Sequence, residues 1–424
     1  MSDMSSMSRE LKKDQLRRRV ISPGGPQRGT PREDSEEIVK QARHTVRRRR
    51  VIMALILLVL AVTGVTANYW YKRNYFYKEA TVVWERKFER DEAGFVDYEA
   101  YGDNLLRFSK DGASYIGTDG KDVWVQPYEM RDPITAVNGD YAAVADRQGN
   151  KIYIFDKSGL LGTATTVLPV IKITISGKGL VAAIVEGQTA SHIYYYMKDG
   201  TELKIYITGF LDGEIGYPLD ISLSPDGTML MGSYVYLEGG EVKNRVAFYN
   251  FSEVGKNAPD RFVGGFHEMY GSSMIPRVRY LDSVYSVAFA DSSISFYSSL
   301  DVMSPVLLKQ IPIEEEIRTI FYGSQYAGVI VKTVAGEADS RLDLYSLEGN
   351  HIFSQEFSFD YKYVDIDGEN IFLYNEDSCR IYNRFGNLKY EGTFDFPVSK
   401  LCSGSFSGEI IAAGPQAVKK IKLH

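Results

Sequence analysis

An internal repeat fills the chain from about residue 80 onward. In its clearest copies an apolar strand carries an aromatic residue four positions before a turn glycine, as in Phe155 and Gly159, Tyr196 and Gly200, Tyr345 and Gly349, and Tyr382 and Gly386. A turn and a short run of small or branched residues precede each such strand. Eight of these runs occur, 37 to 55 residues apart. That spacing is typical of a propeller blade, in which about 40–50 residues form four strands.

The repeat predicts an all-β fold, an eight-bladed β-propeller over residues 80–424. The four strands of the second unit follow one another outward from the centre at residues 132–140, 141–149, 150–159 and 160–169. The eighth unit has no outer strand of its own, and we expect the strand that starts at Thr81 to supply it and close the ring. Seven blades are the alternative count, if the long fourth or the weak first unit is misread. The 30 Tyr and 21 Phe also favour strands.

An uncharged run from Val51 to Tyr71 follows four consecutive arginines, Arg47 to Arg50. About 20 helical residues cross the hydrocarbon core of a bilayer. Since positive charge stays on the cytoplasmic side, we expect a single-pass protein of the cell membrane, with its N-terminus in the cytoplasm and its propeller outside. A cleaved signal peptide is the alternative, because the small residues 65–67 suit a cleavage site.

Four segments therefore follow one another along the chain: a basic, largely disordered cytoplasmic tail (1–50), a transmembrane helix (51–71), a juxtamembrane aromatic linker (72–79) and the propeller (80–424). The lipid bilayer, reached through the helix, is the first predicted partner. The end of the helix and the linker predict an aromatic belt at the outer interface, formed by Tyr69, Trp70, Tyr71, Tyr75, Phe76 and Tyr77.

The tail differs from the rest of the chain in charge. Residues 1–50 hold 14 Lys and Arg against 7 Asp and Glu, whereas the remainder holds 35 against 48. The tail has too little apolar surface to offset the entropy of ordering, so we expect it to be largely disordered. A short helix over residues 33–49 is also possible, because Asp34 or Ser35 could cap its N-terminus. Its arginine clusters are a topology signal or, alternatively, a contact for anionic lipid headgroups. A basic tail before an acidic bulk favours a membrane protein over a nucleic-acid binder.

Residues that commonly carry chemistry are few and scattered. Cys379 and Cys402 are predicted as two small buried side chains, with a disulfide between neighbouring strands as the alternative. His267 and Glu268 begin like a zinc-protease motif, but no second histidine follows at the required spacing. The sequence therefore predicts no catalytic, cofactor-binding or metal-binding residue, and no cofactor.

Two acidic segments have structural interpretations. Residues 365–369 resemble part of a calcium loop, but they lack the later bidentate Glu and fall where every unit has a turn. The run from Glu314 to Glu316 is interpreted as a solvated connection between strands. Calcium binding at residues 365–369 remains as the alternative.

The longest loops lie in the fourth and sixth units. The fourth carries an extended hairpin over residues 237–245 and a surface loop over residues 252–261. A further stretch, residues 267–279, is expected to expose Tyr270, Met274 and Arg277. The sixth unit has a similar hairpin at residues 333–341. Such loops are either functional or insertions that the scaffold tolerates.

The strand-and-turn pattern, together with Ser224-Pro225-Asp226-Gly227, resembles the repeats of WD40-like and quinoprotein-like β-propellers. With the apolar span, the chain resembles an uncharacterised bacterial family of single-pass membrane proteins with a propeller ectodomain, over about residues 51–424. The Trp-Asp pair that often ends WD40 repeats is absent, as is the Trp-docking pattern of quinoprotein repeats. The resemblance implies the architecture and leaves the activity open.

Three classes of function fit this architecture. The leading hypothesis is a non-catalytic binding or scaffolding module for another envelope protein or a surface polymer. The alternative is an enzyme at the mouth of the central channel, such as a quinone-dependent dehydrogenase or a polysaccharide-cleaving enzyme, which needs convergent acidic, Arg or His side chains there. A sensor that signals through the tail ranks third, because residues 1–50 contain no recognisable effector domain.

Overall fold

Eight four-stranded antiparallel sheets contain all the strands of the part of the chain that is described, residues 33–88, 95–333 and 338–424 of a computed structural model. The sheets are the blades of a propeller, so the predicted eight-bladed, all-β fold is confirmed. The alternative count of seven is wrong, because both the long fourth and the weak first unit form complete sheets.

Each blade uses its strands in the order inner, second, third and outer. The inner strands are β2 (Val96–Tyr101), β6 (Pro133–Asn138), β10 (Val170–Ile175), β14 (Tyr217–Leu223), β18 (Arg277–Tyr280), β22 (Ile317–Tyr322), β26 (Tyr363–Asp367) and β30 (Lys400–Ser403). The second strands are β3 (Asn104–Ser109), β7 (Tyr141–Asp146), β11 (Val181–Glu186), β15 (Met229–Glu238), β19 (Tyr285–Phe289), β23 (Tyr326–Lys332), β27 (Asn370–Tyr374) and β31 (Glu409–Ala413).

The third strands are β4 (Gly112–Ile116), β8 (Lys151–Asp156), β12 (Ser191–Tyr196), β16 (Glu241–Asn250), β20 (Ser293–Ser298), β24 (Ser340–Ser346), β28 (Ser378–Asn383) and β32 (Ala417–Leu423). The outer strands are β5 (Asp122–Pro127), β9 (Gly159–Thr165), β13 (Glu202–Gly209), β17 (Phe262–Phe266), β21 (Val306–Pro312), β25 (His351–Phe357), β29 (Leu388–Thr393) and, for blade 8, β1 (Ala80–Lys87). Two 3₁₀ turns, Val254–Asn257 and Pro259–Arg261, lie in the predicted surface loop of blade 4.

Blade 8 closes the ring with the two ends of the propeller sequence. Strand β1 pairs antiparallel with β32 over its whole length, with one bulge, and the predicted closure is confirmed. Side chains of β1 also reach the neighbouring blade 1. The indole of Trp84 donates a hydrogen bond to the carbonyl of Thr118 (2.8 Å), and the Arg86 guanidinium pairs with Asp122 (2.6 Å). The closing strand therefore ties blade 8 to blade 1 as well as completing it.

The core consists of eight apolar clusters, one at each interface between neighbouring blades. The repeated aromatic residues belong to these clusters: Phe155, Tyr196, Tyr345 and Tyr382. The turn glycine that follows each of them has a conformational reason. Gly200 adopts φ +86°, and a Cβ there would lie 2.4 Å from the carbonyl oxygen of Thr163. The repeat thus encodes both the interface and the turn.

The two cysteines are free and buried, as predicted, and the disulfide alternative is wrong. Cys379 belongs to the core between blades 7 and 8, whereas Cys402 belongs to the core between blades 8 and 1. The sheet of blade 8 therefore separates the two thiols.

Residues up to Lys72 and residues from Arg73 form two separate units. Helix α1 spans Glu33–Asn74 without interruption, since no proline and only Gly64 occur within it. Within α1, Val46–Tyr71 is long and apolar enough to cross a membrane, and no other helix in the described ranges is. The predicted span, residues 51–71, lies inside that stretch. The tail predicted to be largely disordered (1–50) is helical from Glu33 onward, which agrees with the short helix considered for residues 33–49. Residues 1–32 and the capping side chains of Asp34 and Ser35 fall outside what the structure describes.

The chain from Arg73 to Glu79, which we call the connecting segment, is bound to blades 7 and 8. Asn383 donates a side-chain hydrogen bond to the carbonyl of Arg73 (2.7 Å), and the Tyr77 N–H donates to the carbonyl of Lys389 (2.8 Å). The Tyr77 ring, which was predicted to belong to the aromatic belt, packs instead against the core between those blades. This segment is therefore a fixed part of the propeller and not a loose tether.

Candidate binding site in the central channel

The inner strands contact one another from blade to blade and surround the central channel. They all run in the same direction, so their first residues lie at one mouth of the channel. We call this the upper mouth, and the face around it the upper face. The loops that enter the inner strands and the hairpins between second and third strands share the upper face. The connecting segment and the turns between third and outer strands lie on the lower face.

Three charged side chains from blades 3, 4 and 5 meet in the channel, and we call Lys172, Asp220 and Arg277 the blade-4 triad. The Asp220 carboxylate lies 2.7 Å from Lys172 Nζ and 3.8 Å from Arg277 Nε. It also accepts the backbone N–H of Val278 at 2.8 Å, and its side chain is only 3% exposed. One buried carboxylate thus holds two cations, of which Arg277 is the more loosely held.

A second group, the blade-8 triad, has the opposite composition and consists of Asp365, Lys400 and Glu99 from blades 7, 8 and 1. Lys400 Nζ lies 3.0 Å from Asp365 Oδ1 and 3.1 Å from Glu99 Oε2. The hydroxyl of Tyr374 donates a further hydrogen bond to Asp365 (2.6 Å). One ammonium, with its side chain 14% exposed, therefore joins two carboxylates.

The two triads face each other across the channel, because blades 4 and 8 are four blades apart in a ring of eight. Further charges on the same inner strands increase the difference in charge between the two sides of the channel. Arg279 lies two residues after Arg277 on β18, and its guanidinium sits 5.5 Å from the centre of the Tyr322 ring. On the other side, Asp97 and Asp367 lie on β2 and β26. The channel therefore has a basic wall and an acidic wall.

Burial and neighbouring charge shift the pKa values of two groups on the acidic wall, Lys400 and Asp97. Burial disfavours the Lys400 ammonium, but the attraction of Glu99 and Asp365 outweighs this cost and holds the pKa of Lys400 well above its usual range. Burial raises the pKa of Asp97, although its hydrogen bond from the Tyr98 N–H opposes the rise. Lys400 thus remains an ammonium and is not available as a general base.

The three residues after blade 4 that were expected to be exposed differ in how far they are buried. Met274 is 49% exposed, so that expectation is confirmed, whereas Arg277 is half-buried, with 41% of its side chain exposed toward the channel. The expectation for Tyr270 is wrong. Its ring is buried between blades 4 and 5, and its hydroxyl bonds with the hydroxyl of Tyr297. The apolar character of tyrosine prevails there because a hydroxyl partner is available inside the core.

The carboxylates of the two acidic segments pair with groups of the same chain. In the run between blades 5 and 6, Glu315 pairs with Arg341 (2.7 Å) and Glu316 with Lys332 (3.5 Å), which agrees with a connection between strands. Within residues 365–369 the carboxylates point to separate donors: Asp365 to Lys400, Asp367 to the Ser403 N–H, and Glu369 to Arg384. In the described part of the chain, no three His, Cys, Asp or Glu side chains converge as metal ligands. His267 and Glu268 are exposed just beyond β17.

The sequence did not identify the two triads, although it located the inner strands that carry them. Each charge lies on a short inner strand, and its partner is about 35 to 60 residues away or, for Glu99 and Lys400, at the far end of the chain. An available signal was the set of charged residues at inner-strand positions of successive units. Aligning the predicted inner strands of units 3, 4 and 5 would have placed Lys172, Asp220 and Arg277 side by side.

The upper face also carries an exposed apolar patch at blade 4. Strands β15 and β16 are ten residues long and join through Gly239 and Gly240, both at positive φ, so the predicted hairpin is confirmed. The hairpin lies against the loop after β13, where the Leu237 N–H donates to the Leu211 carbonyl (2.9 Å). Four side chains here, each between 41% and 49% exposed, form what we call the upper patch: Phe210, Leu211, Leu237 and Val242.

Solved structures that resemble the chain do so at low sequence identity. BamB from Moraxella catarrhalis is 12% identical, and the match covers 81% of this chain and 100% of that chain with a TM-score of 0.46. Sqt1 from Chaetomium thermophilum, solved bound to the N-terminus of the ribosomal protein L10, is 10% identical over 78% of this chain and 93% of that chain, with a TM-score of 0.50. No curated protein matches the chain.

One family model matches most of the chain. It covers residues 72–423, from the connecting segment to the end of β32, and so includes all eight blades and both triads. The expected membership of an uncharacterised family with a propeller is therefore confirmed. The chain belongs to the family of unknown function designated DUF5711.

Proposed function

We propose that this protein is a membrane-anchored, extracytoplasmic β-propeller that acts as a non-catalytic binding or scaffolding module for another protein of the cell envelope. The observation that carries the proposal is the upper patch. Its four apolar side chains project from the hairpin of β15 and β16 and from the adjacent loop, on the same face of the propeller as the charged channel mouth. Exposed apolar groups rimmed by charge mark protein contacts, and they favour a protein partner over a hydrophilic surface polymer.

The location rests on helix α1 and its flanking charge. Val46–Tyr71 is long enough to span a bilayer, and the four arginines at 47–50 lie at its N-terminal end. The positive-inside rule assigns that end to the cytoplasm and the propeller to the outside. The connecting segment lies on the lower face of the propeller, whereas the upper patch lies on the opposite face.

An enzyme with its site in the channel is the second candidate. The observation in its favour is that acidic and Arg side chains do converge there, as such a site requires. However, the charges of the two triads are used mainly on one another, and the inner strands carry no histidine. A candidate acid is Asp97, whose pKa burial raises. If the protein cleaves a cell-surface polysaccharide, Asp97→Asn abolishes product release from purified wall material, whereas a binding module releases none.

Photo-crosslinking in intact cells tests the proposed function. A photoreactive phenylalanine analogue at Leu237 or Val242 samples the upper patch, and the same analogue at Leu300, which is exposed on the lower face, is the matched control. We expect a discrete adduct with one envelope protein from the upper positions only. Absence of an adduct from both upper positions, or the same adduct from Leu300, would overturn the proposal.

A further inference from the structure

We infer that the upper part of the central channel binds a protein segment that carries an acidic and a basic side chain together. The acidic side chain would meet Arg277 and Arg279 on the basic wall, and the basic one would meet Glu99 and Asp97 on the acidic wall. This inference rests on the proposed function and specifies which chemistry of partner the channel accepts.

The basic wall presents two guanidinium groups with unused donors. Arg277 has one carboxylate partner, Asp220, at 3.8 Å, and that carboxylate already accepts Lys172 and the Val278 N–H at closer range. Arg279 has no ion pair within the described residues, and its guanidinium rests near the Tyr322 ring. Arg277 and Arg279 are two positions apart on β18, so they project on the same side of the strand. Two adjacent guanidinium forks suit a carboxylate.

The acidic wall is also incompletely neutralised. Lys400 is shared between Asp365 and Glu99, and the Glu99 side chain is 42% exposed. Asp97, two positions earlier on β2, accepts only the neighbouring Tyr98 N–H among the described contacts. A Lys or Arg side chain entering from the upper mouth would therefore find carboxylates opposite the two arginines.

The opposed walls discriminate among charged partners. A polyanion, such as a nucleic acid or a phosphate-rich polymer, would be repelled by the acidic wall and by the acidic bulk of the chain, which has 48 Asp and Glu against 35 Lys and Arg after residue 50. A polycation would be repelled by Arg277, Arg279 and Lys172. A mixed-charge peptide satisfies both walls at once, and the upper patch lies on the same face as the mouth, where it can contact the apolar residues of the same partner.

Peptide binding to the full chain in detergent micelles tests this inference. The probes are fluorescein-labelled peptides of about ten residues with alternating Glu and Lys, with Glu only, and with Lys only, followed by fluorescence anisotropy at low and moderate salt. We expect the alternating peptide to bind roughly tenfold more tightly than either single-charge peptide, and its binding to weaken with salt.

Variants assign the binding to the channel. Arg279→Gln leaves every ion pair of the blade-4 triad in place, so it tests the basic wall without disturbing the fold, and Arg277→Gln combined with it is the stronger test. We expect a roughly tenfold or greater loss of affinity for the double variant. The matched control is Arg380→Gln, because Arg380 pairs with Glu391 (2.9 Å) between a third and an outer strand, away from the channel.

The outcomes separate this inference from the proposed function. Failure of the alternating peptide to bind at millimolar concentration, equal binding of the all-Glu peptide, or an equal loss in Arg380→Gln would overturn the inference. If photo-crosslinking at Val242 still yields an envelope partner, the proposed function stands and the partner uses the upper patch alone. Failure of both experiments removes both proposals.

Discussion

Lys400 shows how a single residue organises one side of the channel. Its ammonium is the shared partner of carboxylates from two other blades, so it links blades 7, 8 and 1 near the axis. A cation in a partly buried position is stable only while its partners remain, and the partners depend on it in turn. The residue therefore stabilises the ring where its two chain ends meet, and it also sets the charge of the acidic wall.

Replacing Lys400 with Met is expected to destabilise the protein by about 3 kcal/mol, because Asp365 and Glu99 then face each other without a cation. The measurement is a urea titration of the full chain followed by tryptophan fluorescence. Lys362→Met is the control, since Lys362 pairs with Glu376 on the surface, and we expect it to lower the free energy of unfolding far less than Lys400→Met does. Adding Glu99→Gln and Asp365→Asn to Lys400→Met should recover part of the loss. Equal effects of the two single variants would contradict the expectation.

The two cysteines give a second prediction at this scale. Burial raises the pKa of the Cys379 thiol to about 12, and burial raises that of Cys402 as well. Both thiols therefore stay protonated in the folded protein at pH 8, and a thiol reagent such as a chromogenic disulfide should modify neither until urea is added. In the unfolded chain the thiols ionise near pH 8.5, so the folded state loses stability as the pH rises above that value. Rapid modification of the native protein would refute the burial of the thiols.

Strand β1 stabilises the propeller at the point where the ring closes. It completes blade 8, protects the edge of β32 and reaches blade 1 through Trp84 and Arg86. A propeller without its closing strand leaves a three-stranded blade with an unpaired edge, which pairs readily with another chain.

Removing residues 1–87 should therefore convert the propeller into oligomers or aggregates, because the exposed edge of β32 pairs between molecules. The matched control begins at Arg73, which keeps the connecting segment and β1 and corresponds to the compact unit that ends at His424. Size-exclusion chromatography with light scattering distinguishes the two. A monodisperse monomer from the shorter chain would show that β1 is dispensable.

The elements were largely predictable from the sequence, whereas the channel was not. Strands, turns and ring closure follow from local patterns, such as an aromatic residue four positions before a glycine that needs positive φ. The pairing of Asp220 with Lys172 and Arg277 depends instead on how three blades pack, and no local pattern records it. Tyr270 shows the same limit, because its burial depends on the hydroxyl of Tyr297 in the next blade.

At the scale of the whole molecule, the proposed location of the propeller outside the cell membrane makes a prediction of its own. The four arginines at 47–50 precede the apolar stretch of α1, whereas fewer cations follow it, and this asymmetry is the reason for proposing that the N-terminal end lies in the cytoplasm. Labelling of introduced cysteines tests the assignment directly, because the two native thiols are buried and should not react.

In intact cells, a membrane-impermeant maleimide should label Val242→Cys, at the exposed tip of the blade-4 hairpin, and should not label Lys40→Cys, which lies on the N-terminal side of the apolar stretch and is also exposed. Permeabilised cells should label both, which shows that each introduced thiol is reactive. The reverse pattern would place the propeller in the cytoplasm, where no envelope protein could reach the upper patch from outside. That result would overturn the proposed location, and the mixed-charge segment that the channel binds would then have to be sought among cytoplasmic proteins.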